Sequence, residues 1–349
     1  MKALLLRQFK KYPKMQLCDA VKLVYQNTFG GGHMIHNEAD SLRRLNDEYA
    51  AVRKSSEGTV FEGIGNGLCR LHLHALHGIS IATVNRFFVL SANAVRGSVS
   101  RFEENITVFM RCCETHELPF DVEDVKRYIN VLKADGYPPV SHSAAYRAAY
   151  HPAYRVVGAA FRDYFQLFVR IEELLAAQDS VTVAIDGNSG SGKTTLAALI
   201  GEVYDCNVFP MDHFFLPPHM KTAVRLREPG GNVDRERFLR DIIGGIRSGA
   251  SFSYRPYDCK SQTMGEAVQV CPKRLNIVEG CYSMHPSLRG SYDLKVFMQI
   301  SVHRQKRRIL KRNGAFMLNR YIREWIPLEN AYFDAFDIRS SCDLVFGAD

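Results

Sequence analysis

The chain has 349 residues, 46% of them hydrophobic and 23% charged, which is too long for one small domain and too apolar for a disordered or fibrous protein. No run approaches the roughly 18 apolar residues of a membrane span, and the opening residues 1–6 turn basic at Arg7 before a signal core can form, so a cytoplasmic protein without a membrane partner is expected. The 45 basic and 37 acidic residues leave a net charge of +8, but residues 1–178 hold 22 and 18 of them and residues 179–349 hold 23 and 19, so no region concentrates charge for nucleic acid, and a polyanionic small ligand explains the excess equally well.

Residues 15–28, 38–54, 80–95, 101–116, 121–135 and 153–177 place apolar side chains at helical spacing, which predicts a mostly α-helical domain over 1–178. That domain carries no assignable motif but a suggestive set of residues. Gly30, Gly31 and Gly32 precede His33 and His36 and could form an anion-holding turn. A second glycine cluster, Gly63, Gly65 and Gly67, comes before His72 and His74, which would share one face of a strand and could bind metal, or be ordinary histidines. Tyr137 to Ser143 is a Pro-containing stretch, and Tyr146, Arg147, Tyr150, Tyr154 and Arg155 either contact bases and phosphate or pack between helices. Nine scattered cysteines without a repeated CxxC form neither a disulfide framework nor a zinc ribbon, and most are expected to be buried thiols.

After residue 178 the texture changes. Short apolar runs at 181–186, 206–211, 275–279, 294–300 and 343–346 alternate with helical patterns at 192–203, 233–248, 302–313 and 316–335, the rhythm of a five-stranded parallel sheet covered by helices. The expected division is therefore 1–178 and 179–349, with an α/β second domain. Its first strand runs into Gly187-Asn188-Ser189-Gly190-Ser191-Gly192-Lys193-Thr194-Thr195, a complete GxxxxGK[ST] phosphate loop between a strand and a helix. Glycines let the loop point its amides inward, Lys193 would neutralise β/γ-phosphates, and the Thr194 hydroxyl would sit on a Mg²⁺ bridging them. The second and third strands end in Asp212 and Glu279, so three strand ends bring Lys193, Thr194, Asp212 and Glu279 to one crevice, although an acid at a strand end is by itself often only a cap or turn residue.

On these residues the chain resembles the uridine kinase and phosphoribulokinase group of P-loop small-molecule kinases over about residues 179–347. The phosphate loop resembles theirs, and Met211-Asp212-His213-Phe214-Phe215 resembles their "DxFY" block. Asn232 to Phe238 is similar to their "FDHPDAF" block, Tyr257-Asp258 to "YDF", Ile277-Val278-Glu279-Gly280 to "FEG", and the basic stretch Arg304 to Arg312 to their lid helix. The resemblance implies that Asp212 takes the proton of the attacking hydroxyl, that Asp234 and Tyr257 contact the acceptor, and that Glu279 helps hold magnesium. Arg304, Arg308 and Arg312 recur every four residues and share one helix face, as cations for the migrating phosphate or as a solvated face. The chain departs from the nucleoside kinases in three places. Lys260-Ser261-Gln262 stands where they carry a histidine, with Gln262 able to donate and accept on a pyrimidine edge. The insert Leu226 to Asn232 contains a Pro-Gly-Gly turn, and the lid helix is expected to break at Asn313-Gly314.

These observations lead to the expectation of an ATP- and Mg²⁺-dependent kinase acting on a hydroxyl of a small molecule, with a nucleoside as the leading acceptor class. Lys193, Asp212 and Arg308 are expected to be catalytic, Gly187 to Thr195 to bind nucleotide, Asp234, Tyr257, Gln262, Arg304 and Arg312 to meet the acceptor, and Thr194, Asp212 and Glu279 to hold the metal. The first domain would modulate the acceptor site or support a homo-oligomer. Two alternatives are a kinase for a non-nucleoside metabolite and a nucleotide-gated regulatory protein in which hydrolysis is incidental.

Overall fold

The computed structural model describes residues 1–35, 37–55, 58–95, 97–347, so His36 lies outside the described residues. The chain divides into two compact units, Met1–Phe165 and Gln166–Asp349. The composition change expected near residue 178 falls at the end of the helix that opens the second unit.

The first unit runs α1 (Lys2–Lys11), α2 (Leu17–Phe29), α3 (Glu38–Ala51), β1 (Phe61–Gly65), β2 (Leu68–His72), α4 (Ile81–Ala94), α5 (Val99–Glu114), α6 (Val122–Ala134), α7 (Ala144–Tyr150), β3 (Tyr154–Gly158) and α8 (Ala159–Asp163). Side-chain caps fix several starts: Asn37, Ser80, Ser98, Asp121 and Ser143 each accept an amide hydrogen bond at the head of a helix. The predicted helices largely form, but an antiparallel sheet in the order β1-β2-β3 is added to them. The helical pattern over 153–177 proves to be a strand, a short helix and a longer one, because β-branched Val156 and Val157 pair with Arg70 and Cys69 of β2. Leu5, Leu23, Phe102, Phe109 and Tyr146 are buried in the core of this unit, each such apolar side chain contributing roughly 1.5–3 kcal/mol.

The second unit begins with α9 (Phe165–Ala177) and continues through β4 (Val181–Gly187), α10 (Lys193–Val203), β5 (Cys206–Pro210), α11 (Ala223–Arg227), α12 (Arg235–Phe238), α13 (Gly244–Ser248), β6 (Phe252–Tyr254), β7 (Tyr257–Asp258), β8 (Thr263–Met264), β9 (Val268–Val270), β10 (Leu275–Glu279), α14 (Pro286–Arg289), β11 (Leu294–Met298), α15 (Val302–Arg320), α16 (Ile326–Phe336) and β12 (Leu344–Phe346). Five parallel strands take the order β12-β11-β4-β10-β5. Every residue of β4 and β10 is buried, which explains why both read as continuous apolar runs, whereas the edge strands expose Val208 and Val345. From β4 the chain passes over the β10 position to β5 on one side, and β11 lies on the other, so the carboxyl end of β4 is the switch point where such sheets take ligands. This is a P-loop α/β fold. Gly314, at φ +78°, kinks α15 where the sequence predicts a break.

The expectation for cysteines needs correction. All nine are free thiols, but only Cys69, Cys112, Cys113 and Cys281 are buried, while Cys259 and Cys271 are exposed on the short hairpin segments after β7 and β9. No helix among the described residues is long and apolar enough to cross a membrane.

Candidate active site

The phosphate loop leaves the sheet between β10 and β11. Its Gly187 lies level with Met298, where a Cβ would come within 2.0 Å of the Met298 carbonyl oxygen, and its φ of +137° is open only to glycine. The Lys193 ammonium donates to the carbonyls of Gly187 at 2.7 Å and Asn188 at 3.0 Å, and the Ser191 amide donates to Asn188 O at 3.1 Å. Lys193 opens α10, whose first-turn amides add partial positive charge. The Ser191 hydroxyl is buried and has no hydrogen-bond partner among the described residues, so the cradle contains an unsatisfied polar atom.

Thr194 Oγ1 donates to both oxygens of Glu279, at 3.2 and 3.3 Å. Burial pushes the Glu279 carboxyl above its ordinary value, Lys193 opposes that shift and Asp212 adds to it. Asp212 is therefore within electrostatic reach of Glu279. It stands exposed in the turn Met211–Phe214 just past β5, with no hydrogen-bond partner among the described residues.

Two acids that sequence reasoning left without a role support this loop. Asp186 is buried in β4 and accepts from Gly187 N at 2.6 Å, Met284 N at 2.9 Å and the Tyr332 hydroxyl at 2.8 Å, with burial pushing its pKa up to about 6. Glu329 on α16, 3% exposed, accepts from the Ser189 amide at 2.9 Å and from the Ser189 hydroxyl, and burial raises its pKa as well. Asp186 could have been suspected from a charge inside an apolar strand. Glu329 lies 140 residues from its partner and nothing local marks it.

The basic helix α15 meets the loop through its buried edge. Gln305 Nε2 donates to Ser189 O at 3.0 Å, and Arg308 Nη1 donates to Gly190 O at 3.0 Å and Ser191 O at 3.1 Å. The three arginines thus separate. Arg308 touches the loop, Arg304 is exposed, and Arg312 turns to Asn313 at 2.7 Å and the Tyr321 hydroxyl at 3.3 Å.

The expected acceptor residues fall into two groups. Asp234 is 7% exposed; its amide donates to Phe214 O at 2.7 Å and its carboxylate caps α12 through Arg237 N at 3.0 Å. Tyr257 is buried in the β7–β8 hairpin, which lies against the turn that carries Asp212. Both therefore flank Asp212. Gln262 instead sits exposed at the tip of that hairpin at φ +57°, with no hydrogen bond that fixes its amide among the described residues. Arg225 locks the Pro-Gly-Gly insert by donating to Gly231 O at 3.0 Å and Val233 O at 2.9 Å while pairing with Glu236 at 2.8 Å.

In the first unit, Gly30 caps α2 at φ +65° and a Cβ on Gly31 would come within 2.6 Å of the Phe88 ring, so these glycines serve helix termination and packing. Tyr146 stacks on His142 with centroids 4.2 Å apart, Arg155 pairs with Glu48 at 2.7 Å and lies over Phe88, and Arg147 is exposed.

The residues present suit a magnesium nucleotide. Asp186 and Glu329 are taken up by their own hydrogen bonds, which leaves Thr194, Glu279 and the exposed Asp212 as the oxygen donors that could hold a hard divalent cation beside Lys193 and Arg308. No protein-family model matches the chain. Among solved structures it is similar to a possible uridine kinase from Bacillus stearothermophilus, at 19% identity over 52% of this chain and 100% of that one with a TM-score of 0.41. It is also similar to a D-glycerate 3-kinase from Cryptococcus neoformans var. grubii serotype A, at 15% identity over 52% of this chain and 88% of that one with a TM-score of 0.36.

Proposed function

We propose that the protein is an ATP-dependent kinase that transfers the γ-phosphate to a hydroxyl group of a small molecule, with a nucleoside as the favoured acceptor. The observation that carries this reading is the joint placement of a complete phosphate loop at the switch point of the sheet, the Thr194–Glu279 contact beside it and an unpaired Asp212 at the adjoining strand end. Phosphoryl transfer asks chiefly for positioning and charge, and this set supplies both. Lys193 and the loop amides hold the β/γ-phosphates. Thr194 with Glu279 and Asp212 forms the oxygen donor set for magnesium, which when bound offsets the negative charge of the phosphates. Asp212 accepts the proton of the attacking hydroxyl, and its exposure leaves it open to an incoming acceptor. Arg308, already held on the loop carbonyls, is the arginine best placed to swing onto the transferred group. Asp234 and Tyr257, next to the Asp212 turn, border the acceptor side.

The test is ADP release from ATP–Mg²⁺ across a panel of nucleosides, sugars and hydroxy acids. Release that rises at least tenfold with one hydroxyl compound and yields its phosphate ester supports the proposal. Slow release indifferent to every small molecule but stimulated by a macromolecule would instead make the protein a nucleotide-gated switch.

A further inference from the structure

A second hollow lies wholly within the first unit, and phosphate transfer in the second unit does not use it. It has a volume of about 430 Å³, and its lining includes Lys11, Tyr12, Arg70, His72, His74 and Tyr150. Arg70, from the central strand β2, is only 1% exposed. Its Nε and Nη2 donate to Gln26 Oε1 at 3.1 and 2.8 Å, its Nη1 to Gln8 Oε1 at 3.3 Å and to Glu62 Oε2 at 3.4 Å, and its plane lies 4.8 Å from the Tyr154 ring. The same Glu62 carboxylate takes a hydrogen bond from Lys11 and another from the Tyr12 hydroxyl at 3.0 Å. Burial opposes ionisation of Glu62, but Lys11 and Arg70 outweigh it and hold its carboxyl below the ordinary value.

One carboxylate thus answers two full cations, and no carboxylate lines the hollow among the described residues. Lys22 stands behind them, its ammonium donating to Val140 O at 2.6 Å and facing the fully buried carboxylate of Asp19. A fold often loses nothing when a whole buried ion pair is replaced by apolar side chains, so a buried arginine kept at an open hollow, with Lys11 at its rim, has the character of a binding feature. Donor capacity also remains. Lys11 is half exposed and keeps N–H groups beyond its bond to Glu62, Arg70 keeps one on Nη2, and the His72 and His74 rings stand 5.4 Å apart on one wall. Tyr12 and Tyr150, also in the lining, meet edge to face at 5.0 Å and give it an aromatic surface.

We propose that this hollow binds a small organic phosphate, its phosphoryl oxygens held by Lys11 and Arg70 with the two histidines, and its organic part resting on the Tyr12–Tyr150 wall. A phosphate monoester carries nearly two negative charges and three terminal oxygens, which suits this set of donors better than the two oxygens of a carboxylate.

Calorimetric titration of the full chain carrying Lys193→Ala, so that the phosphate loop lacks its cation, tests the site with ribose 5-phosphate and with ribose. Ribose 5-phosphate is expected to bind and ribose not to. Adding Lys11→Ala should weaken the sugar phosphate at least about tenfold, the loss typical of one charge-assisted hydrogen bond. Adding His74→Ala, from a partly exposed position, should weaken it several-fold and decides the matter should Lys11→Ala unfold. Unchanged affinity in the folded variants, or no binding of ribose 5-phosphate at millimolar concentration, overturns the proposal.

Discussion

The two units each gather a cluster of charge, and the clusters are opposite in sign. Around the phosphate loop Lys193, with Arg308 reaching the loop from α15, stands among Asp186, Asp212, Glu279 and Glu329. Around Arg70, that guanidinium and the half-exposed Lys11 share the single carboxylate of Glu62, with Lys22 and the buried Asp19 behind them. Neither imbalance is what an interior settles into for stability, since buried charges are cheapest when paired one to one. The first lacks a cation beside a place for phosphates, and the second lacks an anion beside an aromatic wall. The sign of the imbalance is thus a guide to the missing partner.

The largest effect expected from breaking this comparison comes from Asp212→Asn. The amide keeps the size and one acceptor oxygen but cannot take a proton near neutral pH, so turnover should fall about 10²–10⁴-fold with nucleotide affinity little changed. A defect that shrinks as magnesium is raised would mark Asp212 as chiefly a metal ligand, and an unchanged rate per folded molecule would remove it from catalysis. Next is Arg70→Met, which leaves Gln8 and Gln26 without their donor and the buried Glu62 with one cation fewer. A loss of about 3 kcal/mol in urea unfolding is expected, against at most about 1 kcal/mol for Lys11→Met at the solvent edge. Equal losses would mean that depth does not distinguish the two cations.

The clusters also differed in how far the sequence revealed them. The phosphate loop is nine contiguous residues bounded by a strand and a helix, and parallel strands deliver Asp212 and Glu279 to the same edge by rule, so that side of the site is legible from local pattern. The Arg70 cluster draws Gln8 and Lys11 from α1, Gln26 from α2, Glu62 from β1 and Tyr154 from β3, across more than a hundred residues, and no window of the sequence contains it. The same reason hid the antiparallel sheet: β1 and β2 are only five residues each, β1 holds two glycines, and β3 is joined to a helical run. Helical periodicity predicted that Arg304, Arg308 and Arg312 share a face, but periodicity does not say which turn of the helix reaches the loop. That depends on Gln305 and Ile309, which are buried against it.

A third prediction concerns pH. Asp186 titrates at about 6 in the folded chain against an ordinary 3.8, because burial disfavours its charge. Between these values the folded chain holds a proton that the unfolded chain has released, so stability falls as pH rises from about 4 to about 6, then carries the full cost of ionisation above that window. The cost is on the order of 2–3 kcal/mol. Glu279 and Glu329 shift in the same direction, so the informative quantity is the difference between the wild type and Asp186→Asn, whose stability should lose part of this slope. Identical slopes in denaturant melts at pH 4, 5, 6 and 7 would show that Asp186 does not titrate there.

The smallest effect expected is that of Glu329→Gln, and it bears most directly on the sign of the charge imbalance. The glutamine oxygen can still accept from the Ser189 amide, while its NH₂ can donate to the Ser189 hydroxyl, so the loop keeps its tether to α16. What is lost is one negative charge from the four that surround Lys193. Without magnesium, those carboxylates repel the phosphates of ATP, so removing one should tighten binding by about 1 kcal/mol, or roughly fivefold. With magnesium present the carboxylates face a cation as well as the phosphates, and the gain should shrink or reverse. Nucleotide titrations in EDTA and in saturating Mg²⁺ separate these outcomes. Weaker binding in both conditions would show that the charge of Glu329 acts by holding the loop in shape, and that the negative surplus beside Lys193 serves structure before it serves a metal.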